Sequence, residues 1–156
     1  KTAVLVGAAL EMGAIVAKTT PLNKTAIYNF GRHLGIAFQL QDDYLDAFGE
    51  TATFGKQIGG DILENKKTYL YLKTLENASE NDKEELLKWY ATKENSQEKI
   101  DSVKQLFIKT NATGNMQLLI EEYTQKALHQ LETLEIPYHF KEELKEFAVS
   151  LMNRTV

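Results

Sequence analysis

The 156-residue chain contains no cysteine, which excludes a disulfide framework, a thiolate metal site and a cysteine nucleophile. That absence permits a reducing compartment. Proline is scarce: Pro21 and Pro137 both fall between periodic segments, so the helical stretches carry no internal breaker. Only two arginines occur, Arg32 and Arg154, and no block of like charge. With 18 basic against 22 acidic residues the net charge is −4, mild acidity that lacks the basic patch a nucleic acid wants. No long apolar run is present. The most apolar stretch, Ala3 to Ala17, contains Glu11 and is shorter than the roughly 20 residues a membrane span needs. It also lacks the basic leader and small-residue cleavage site of a signal peptide. Sustained period-2 alternation, the strand signal, is absent as well.

What remains is a foldable composition: 43% hydrophobic and 10% aromatic residues rule out a disordered tail. The length fits one domain or a piece of a larger one. The chain opens on Lys1-Thr2, without an initiator Met, directly in a helical pattern, as if entered in the middle. Helical periodicity then runs throughout, and the expected class is all-α. The pattern predicts helices over about Lys1–Lys18, Asn23–Phe48, Lys66–Leu75, Ser79–Ala91, Ser96–Thr110, Thr113–Leu134 and Lys141–Met152. The main loop is Gly49 to Gly60, with four of the nine glycines in twelve residues. Patterns such as Asn81-Asp82-Lys83-Glu84 read as helix starts with a capping side chain. From Ser79 onward each helix has one apolar stripe and should cover a surface, whereas the first two are apolar nearly all round and should be central.

The second helix carries an anomaly. Leu34, Ile36, Ala37, Phe38, Leu40, Tyr44, Leu45 and Phe48 occupy most of its circumference. The remaining arc, about 100° between Asp42 and Asp43, holds Arg32, Gly35, Gln39, Asp42, Asp43 and Asp46. Three carboxylates within one turn repel one another, and unpaired buried charge is costly. Such a stripe should line a water- or ligand-filled cavity and be compensated by something positive. Hard oxygen ligands of this kind suit Mg²⁺, which also bridges to substrate phosphates. A stripe on a solvated face, or one neutralised by lysines of a neighbouring helix, would show the same periodicity.

The run Gly35-Ile36-Ala37-Phe38-Gln39-Leu40-Gln41-Asp42-Asp43-Tyr44-Leu45-Asp46 resembles the second aspartate-rich motif of the trans-isoprenyl diphosphate synthases. Phe48-Gly49, Gly55-Lys56, Gly59-Gly60-Asp61-Ile62 and Asn65-Lys66 follow at that family's spacing, and Lys1-Thr2 resembles its upstream Lys-Thr pair. The resemblance is close from Lys1 to about Leu75. It implies the C-terminal half of a helical isoprenoid synthase bundle, with active-site helices over residues 1–76 and peripheral helices over 77–156.

The resemblance also implies roles. Asp42 would ligate Mg²⁺ directly, Asp43 and Asp46 mainly through bound water, with Asp61 further out. Lys1, Thr2, Lys56 and Lys66 would hold the allylic diphosphate. Gln39 would sit beside the allylic chain, Phe38 near the isopentenyl diphosphate, and Arg154 would match a basic C-terminal residue closing over that second substrate. The implied reaction is head-to-tail condensation of an allylic diphosphate with isopentenyl diphosphate by a cytoplasmic enzyme, homodimeric at full length. The family's first aspartate-rich motif and upstream arginines are not found in these residues. The chain alone is therefore expected to be inactive, and to self-associate through the apolar faces of Lys1–Lys18 and Asn23–Phe48. A noncatalytic subunit of a prenyl synthase heteromer is the alternative. A terpene cyclase is disfavoured, because no N-D-x-x-S-x-x-x-E pattern occurs.

Overall fold

The computed structural model describes residues 1–49 and 58–153. Among these residues every regular element is a helix, as the periodicity predicts. There are eight: α1 (Thr2–Val16), α2 (Pro21–Phe48), α3 (Gly60–Leu63), α4 (Tyr69–Asn77), α5 (Glu80–Ala91), α6 (Gln97–Lys109), α7 (Ala112–Glu132) and α8 (Tyr138–Met152). The chain forms two compact units. One contains Lys1–Gln41 and the described residues from Leu119 to Asn153; the other contains the described residues of Asp42–Leu118.

The first unit is built on the opening of α2. Thr20 caps it, its hydroxyl accepting from the Asn23 backbone N–H at 3.2 Å, and Pro21 takes the first helical position, where a missing N–H costs nothing. Phe30 and Leu34 of α2 are fully buried with Ala127 and Leu131 of α7, Leu134 after it and Ala148 of α8. Asn23 is nearly fully buried and fully used. Its amide nitrogen donates to the Thr19 hydroxyl (2.9 Å) and the Glu135 carbonyl (3.2 Å), and its oxygen accepts from the Glu135 N–H (2.8 Å). This side chain staples the start of α2 to the α7–α8 connection.

Helix α1 lies against α2 along small residues. A Cβ at Gly7 would stand 2.9 Å from the Tyr28 carbonyl oxygen; one at Gly31 would stand 3.0 Å from Gly7 Cα; one at Gly35 would stand 2.7 Å from Ala3 Cα. Hydrogen side chains at these positions let the two backbones approach closely. In this chain much of the apolar surface of α1 stands uncovered. Gly7 is its only buried residue, while Leu5 and Val16 are 70% and 81% exposed and Val4, Met12 and Ile15 are more than half exposed. Periodicity reports how wide an apolar face is, not what covers it.

In the second unit α6 keeps one face to solvent and turns one stripe inward, where it packs against α3, α4 and α5. It buries Ile100, Val103, Leu106 and Phe107, and with them the charged Lys99. A buried hydroxyl pair, Thr110 to Thr74 at 3.2 Å, and the Asn77 amide on the Thr110 carbonyl at 3.0 Å join α4 to the end of α6. The cap of α5 is Ser79, two residues ahead of the Asn81 pattern. Its hydroxyl accepts from the Asp82 N–H (3.3 Å) and donates to the Asp82 carboxylate (2.8 Å), a reciprocal capping arrangement. Ser96 caps α6 through the Lys99 N–H at 3.2 Å. The predicted helix at Lys66–Leu75 instead runs Tyr69–Asn77. The short α3 is an addition, formed by residues at and beyond the edge of the predicted loop.

Candidate functional site

In the second unit, the end of α2 delivers Asp42, Asp43 and Asp46, all half-buried. The glycine pair that follows shapes the surroundings of Asp46. Gly59 has φ +81°, a left-handed conformation that disfavours any other residue, and its N–H donates to the Asp46 carbonyl at 2.6 Å. Gly60 opens α3, and a Cβ there would sit only 3.2 Å from Asp46 Oδ1. One residue on, the Asp61 N–H in the first turn of α3 donates to Asp46 Oδ2 at 2.9 Å. The Gly-Gly-Asp sequence thus folds back as a cradle for the third carboxylate of the stripe.

The Asp61 side chain faces a cation. Lys66 Nζ contacts Asp61 Oδ1 at 2.6 Å and Glu64 Oε2 at 2.9 Å. These hydrogen bonds, that to Asp61 first, raise the Lys66 pKa, so the ammonium is held charged. Lys66 is half-exposed, and its pairs contribute only about 0–1 kcal/mol each, as solvated ion pairs do. Asp46 behaves oppositely. Burial pushes its pKa up, and the Asp61 and Asp42 charges add to this, while the Asp61 N–H and Lys66 pull it down. A carboxylate in that environment gains from any nearby positive charge.

A residue that periodicity did not single out also belongs here. Tyr90 of α5 stacks on Tyr71 of α4 with ring centroids 4.3 Å apart. Its hydroxyl pKa is raised, first by burial and then by the charges of Tyr71, Asp61 and Asp46. It presents a neutral O–H within the electrostatic reach of the acidic cluster. No spacing in the sequence ties Tyr90 to Asp46, since the two meet only through the packing of α5.

In the first unit, Thr2 opens α1 half-buried, and its hydroxyl donates to Gln39 Oε1 on α2 at 2.9 Å. Lys1 is exposed at the N-cap of α1, and Phe38 is half-buried on α2. The structure therefore brings together Thr2 with Gln39 and, separately, Asp46 with Asp61 and Lys66. Lys56 and Arg154 lie outside the described residues. Among the described residues no three histidine or acidic side chains converge closely enough to form a metal site by themselves. Mg²⁺ does not require that, because it is commonly held by one or two carboxylates with water and substrate phosphate supplying the other ligands. The half-buried, oxygen-only stripe of Asp42, Asp43 and Asp46 fits such a partial set. No described helix is long and apolar enough to cross a membrane.

Comparison with known proteins places the chain in a family. Residues 1–107 match the family described as Polyprenyl synthetase. The chain is 35% identical over 135 residues to the short chain isoprenyl diphosphate synthase of Methanothermobacter thermautotrophicus, covering 86% of this chain and 41% of that protein. Its fold superposes on a crystal structure of geranylgeranyl pyrophosphate synthase with TM-score 0.90 and 48% identity, covering 99% of this chain and 48% of the other. The corresponding synthase of Corynebacterium glutamicum, solved with isoprenyl diphosphate and magnesium, gives TM-score 0.85 and 29% identity over 96% of this chain and 42% of the other. The chain spans about half the length of these relatives, or less.

Proposed function

The chain belongs to the polyprenyl synthetase family, and from that premise we propose that it supplies one wall of an active site for head-to-tail prenyl transfer. The substrates are an allylic diphosphate and isopentenyl diphosphate, and the product is a longer polyprenyl diphosphate. The observation that carries this reading is the Asp46–Asp61–Lys66 arrangement: a braced carboxylate at the end of an acidic stripe, with a charged lysine held 2.6 Å from the next acid. Family members are prenyltransferases, and a diphosphate with its counter-cation needs acids and lysines side by side.

Mg²⁺ is the cation proposed for Asp42, Asp43 and Asp46, with Asp61 further out. Held there, the ion would supply charge neutralisation for a departing diphosphate. The residues of the chain do the rest. Lys66 uses two of its three N–H donors on Asp61 and Glu64, leaving one for a phosphate oxygen. Lys1, Thr2 and Lys56 contribute further donors. The allylic C–O bond breaks and its electron pair leaves with the diphosphate. The C3–C4 π bond of isopentenyl diphosphate attacks the resulting cation, and a proton lost to the released diphosphate restores the double bond. Gln39 lies beside the allylic chain and Phe38 beside the second substrate, with Arg154 closing over it. Apolar surroundings exclude water that would quench the cation. Active-site helices occupy residues 1–76 and covering helices 77–156. The same proposal takes the whole protein to be a cytoplasmic homodimer and this chain alone to be inactive.

The test is Asp42→Ala in the full-length protein. Turnover should fall on the order of 100-fold or more while the melting temperature changes little. Near-normal turnover would remove Asp42 from the metal site and the proposal with it.

A further inference from the structure

Lys99 of α6 has no solvent-exposed surface. Its ammonium donates to Asn65 Oδ1 at 2.7 Å and to the Thr92 carbonyl at 3.1 Å, and the Asn65 amide nitrogen donates to that same carbonyl at 2.8 Å. Among the described residues no carboxylate forms an ion pair with it. Burying an ammonium on neutral acceptors is expensive, and a methionine would fill the same volume without that cost. What the lysine supplies beyond volume is a grip on Asn65 and on the Thr92 carbonyl that Asn65 itself contacts.

Asn65 needs a grip. Its φ is 56°, in the left-handed region that asparagine enters only at some cost and glycine enters freely. It is also the residue at which the chain reverses after α3. The Asn65 N–H returns to the Ile62 carbonyl at 3.1 Å and the Lys66 N–H to the Asp61 carbonyl at 2.9 Å. That reversal carries the Lys66 ammonium back over α3 to Asp61.

We propose that Lys99 is a positioning residue for the diphosphate-binding end of the site: by latching Asn65 in its left-handed turn it fixes where Lys66 stands beside Asp61. Lys99 touches no substrate and acts through Asn65. This rests on the reading above that Lys66 holds the allylic diphosphate.

The experiment compares Lys99→Met, Asn65→Gly and the double variant in the full-length protein. It reads amide exchange over residues 61–67 and the Michaelis constants for each substrate. Lys99→Met strands the Asn65 oxygen. It should speed exchange at Asn65 and Lys66 and raise KM for the allylic diphosphate on the order of 10–100-fold, leaving KM for isopentenyl diphosphate unmoved. Asn65→Gly combined with Lys99→Met removes both the demand for the latch and the latch, so exchange and KM should return most of the way to wild type. A simple packing role for Lys99 predicts no such return. The proposal is overturned if Lys99→Met leaves exchange and KM unchanged, if both substrates' constants rise together, or if the double variant is as impaired as Lys99→Met. Wild-type protein without prenyl transfer overturns the functional reading and the substrate half of this proposal, while the exchange arm still decides whether Lys99 holds the turn.

Discussion

Replacing Gly35 by alanine tests whether the contact between α1 and α2 is as close as the backbones indicate. A Cβ at this position would stand 2.7 Å from Ala3 Cα and 3.3 Å from Ala3 N, where ordinary contact begins at 3.4 Å. The obstruction is backbone, so no side-chain rotation relieves it, and the helices must part by about 0.7 Å. Overpacking of that kind costs about 1–3 kcal/mol. Set against it is the intrinsic preference of a helix for alanine over glycine, about 1 kcal/mol. Gly13, on the same α1, supplies the control, because a Cβ there meets nothing within 4 Å. Gly13→Ala should therefore stabilise by about 1 kcal/mol. The helix-propensity term is common to both variants, so Gly35→Ala should fall below Gly13→Ala by the overpacking cost alone. At roughly 2–4 °C per kcal/mol for a chain of this size, thermal melts separate the two readily. Parting at Ala3 also moves Thr2 away from Gln39, so the 2.9 Å hydrogen bond between them should weaken in the same variant. If Gly35→Ala melts at or above Gly13→Ala, the close-packed seam does not exist in solution.

Asn23→Ala should cost about 1–3 kcal/mol in urea unfolding, because it strips hydrogen bonds from the Glu135 N–H and carbonyl at once; a change within measurement error would show that water replaces the staple. His33 has its pKa lowered from 6.5 by burial first and then by Arg32, with Lys126 adding to the effect while a backbone hydrogen bond opposes it. The folded imidazole takes up a proton less readily than the unfolded one, so its contribution is full above 6.5 and shrinks as pH falls below that value. The stability of wild type relative to His33→Phe should accordingly fall as pH is lowered from about 7.5 to about 5; a pH-independent difference would refute the assignment. Gly60→Ala presses a methyl against Asp46 Oδ1, and in the full-length protein it should weaken Mn²⁺ or Mg²⁺ binding more than it lowers the melting temperature; unchanged metal affinity with a large loss of stability would refute the cradle.

The helices from Ser79 onward were legible because their signals are local. Ser79 and Ser96 cap through their own chain, and each apolar stripe repeats within one helix. Asp42, Asp43 and Asp46 were legible because one helical turn places them, whatever surrounds them. What escaped depends on distant partners. Helix α3 is only four residues long and is anchored by Asp46, 15 residues before Asp61, so no window of local sequence could find it. The glycines at 59 and 60 read only as the end of a loop, yet their immediate neighbours are Ile100 and Asp46. Nothing local in the sequence sets Lys99 apart. Its burial depends on Asn65 and Thr92, 34 residues and 7 residues away. The apolar surface of α1 is legible as apolar, but what covers it is not, since only tertiary packing decides which faces are covered.

Asp61 divides its work between two parts of the same residue. Its main-chain N–H holds Asp46, and its carboxylate holds Lys66. A scan by side-chain replacement therefore sees only the second task, because Asp61→Ala or Asp61→Asn retains the amide that braces Asp46. The brace becomes visible only to chemistry on the backbone itself, such as exchanging that amide for an ester by protein semisynthesis. Libraries of point variants will in this respect underrate the Gly59–Asp61 segment, whose contribution to the acidic stripe is carried largely by peptide groups that all twenty amino acids except proline share.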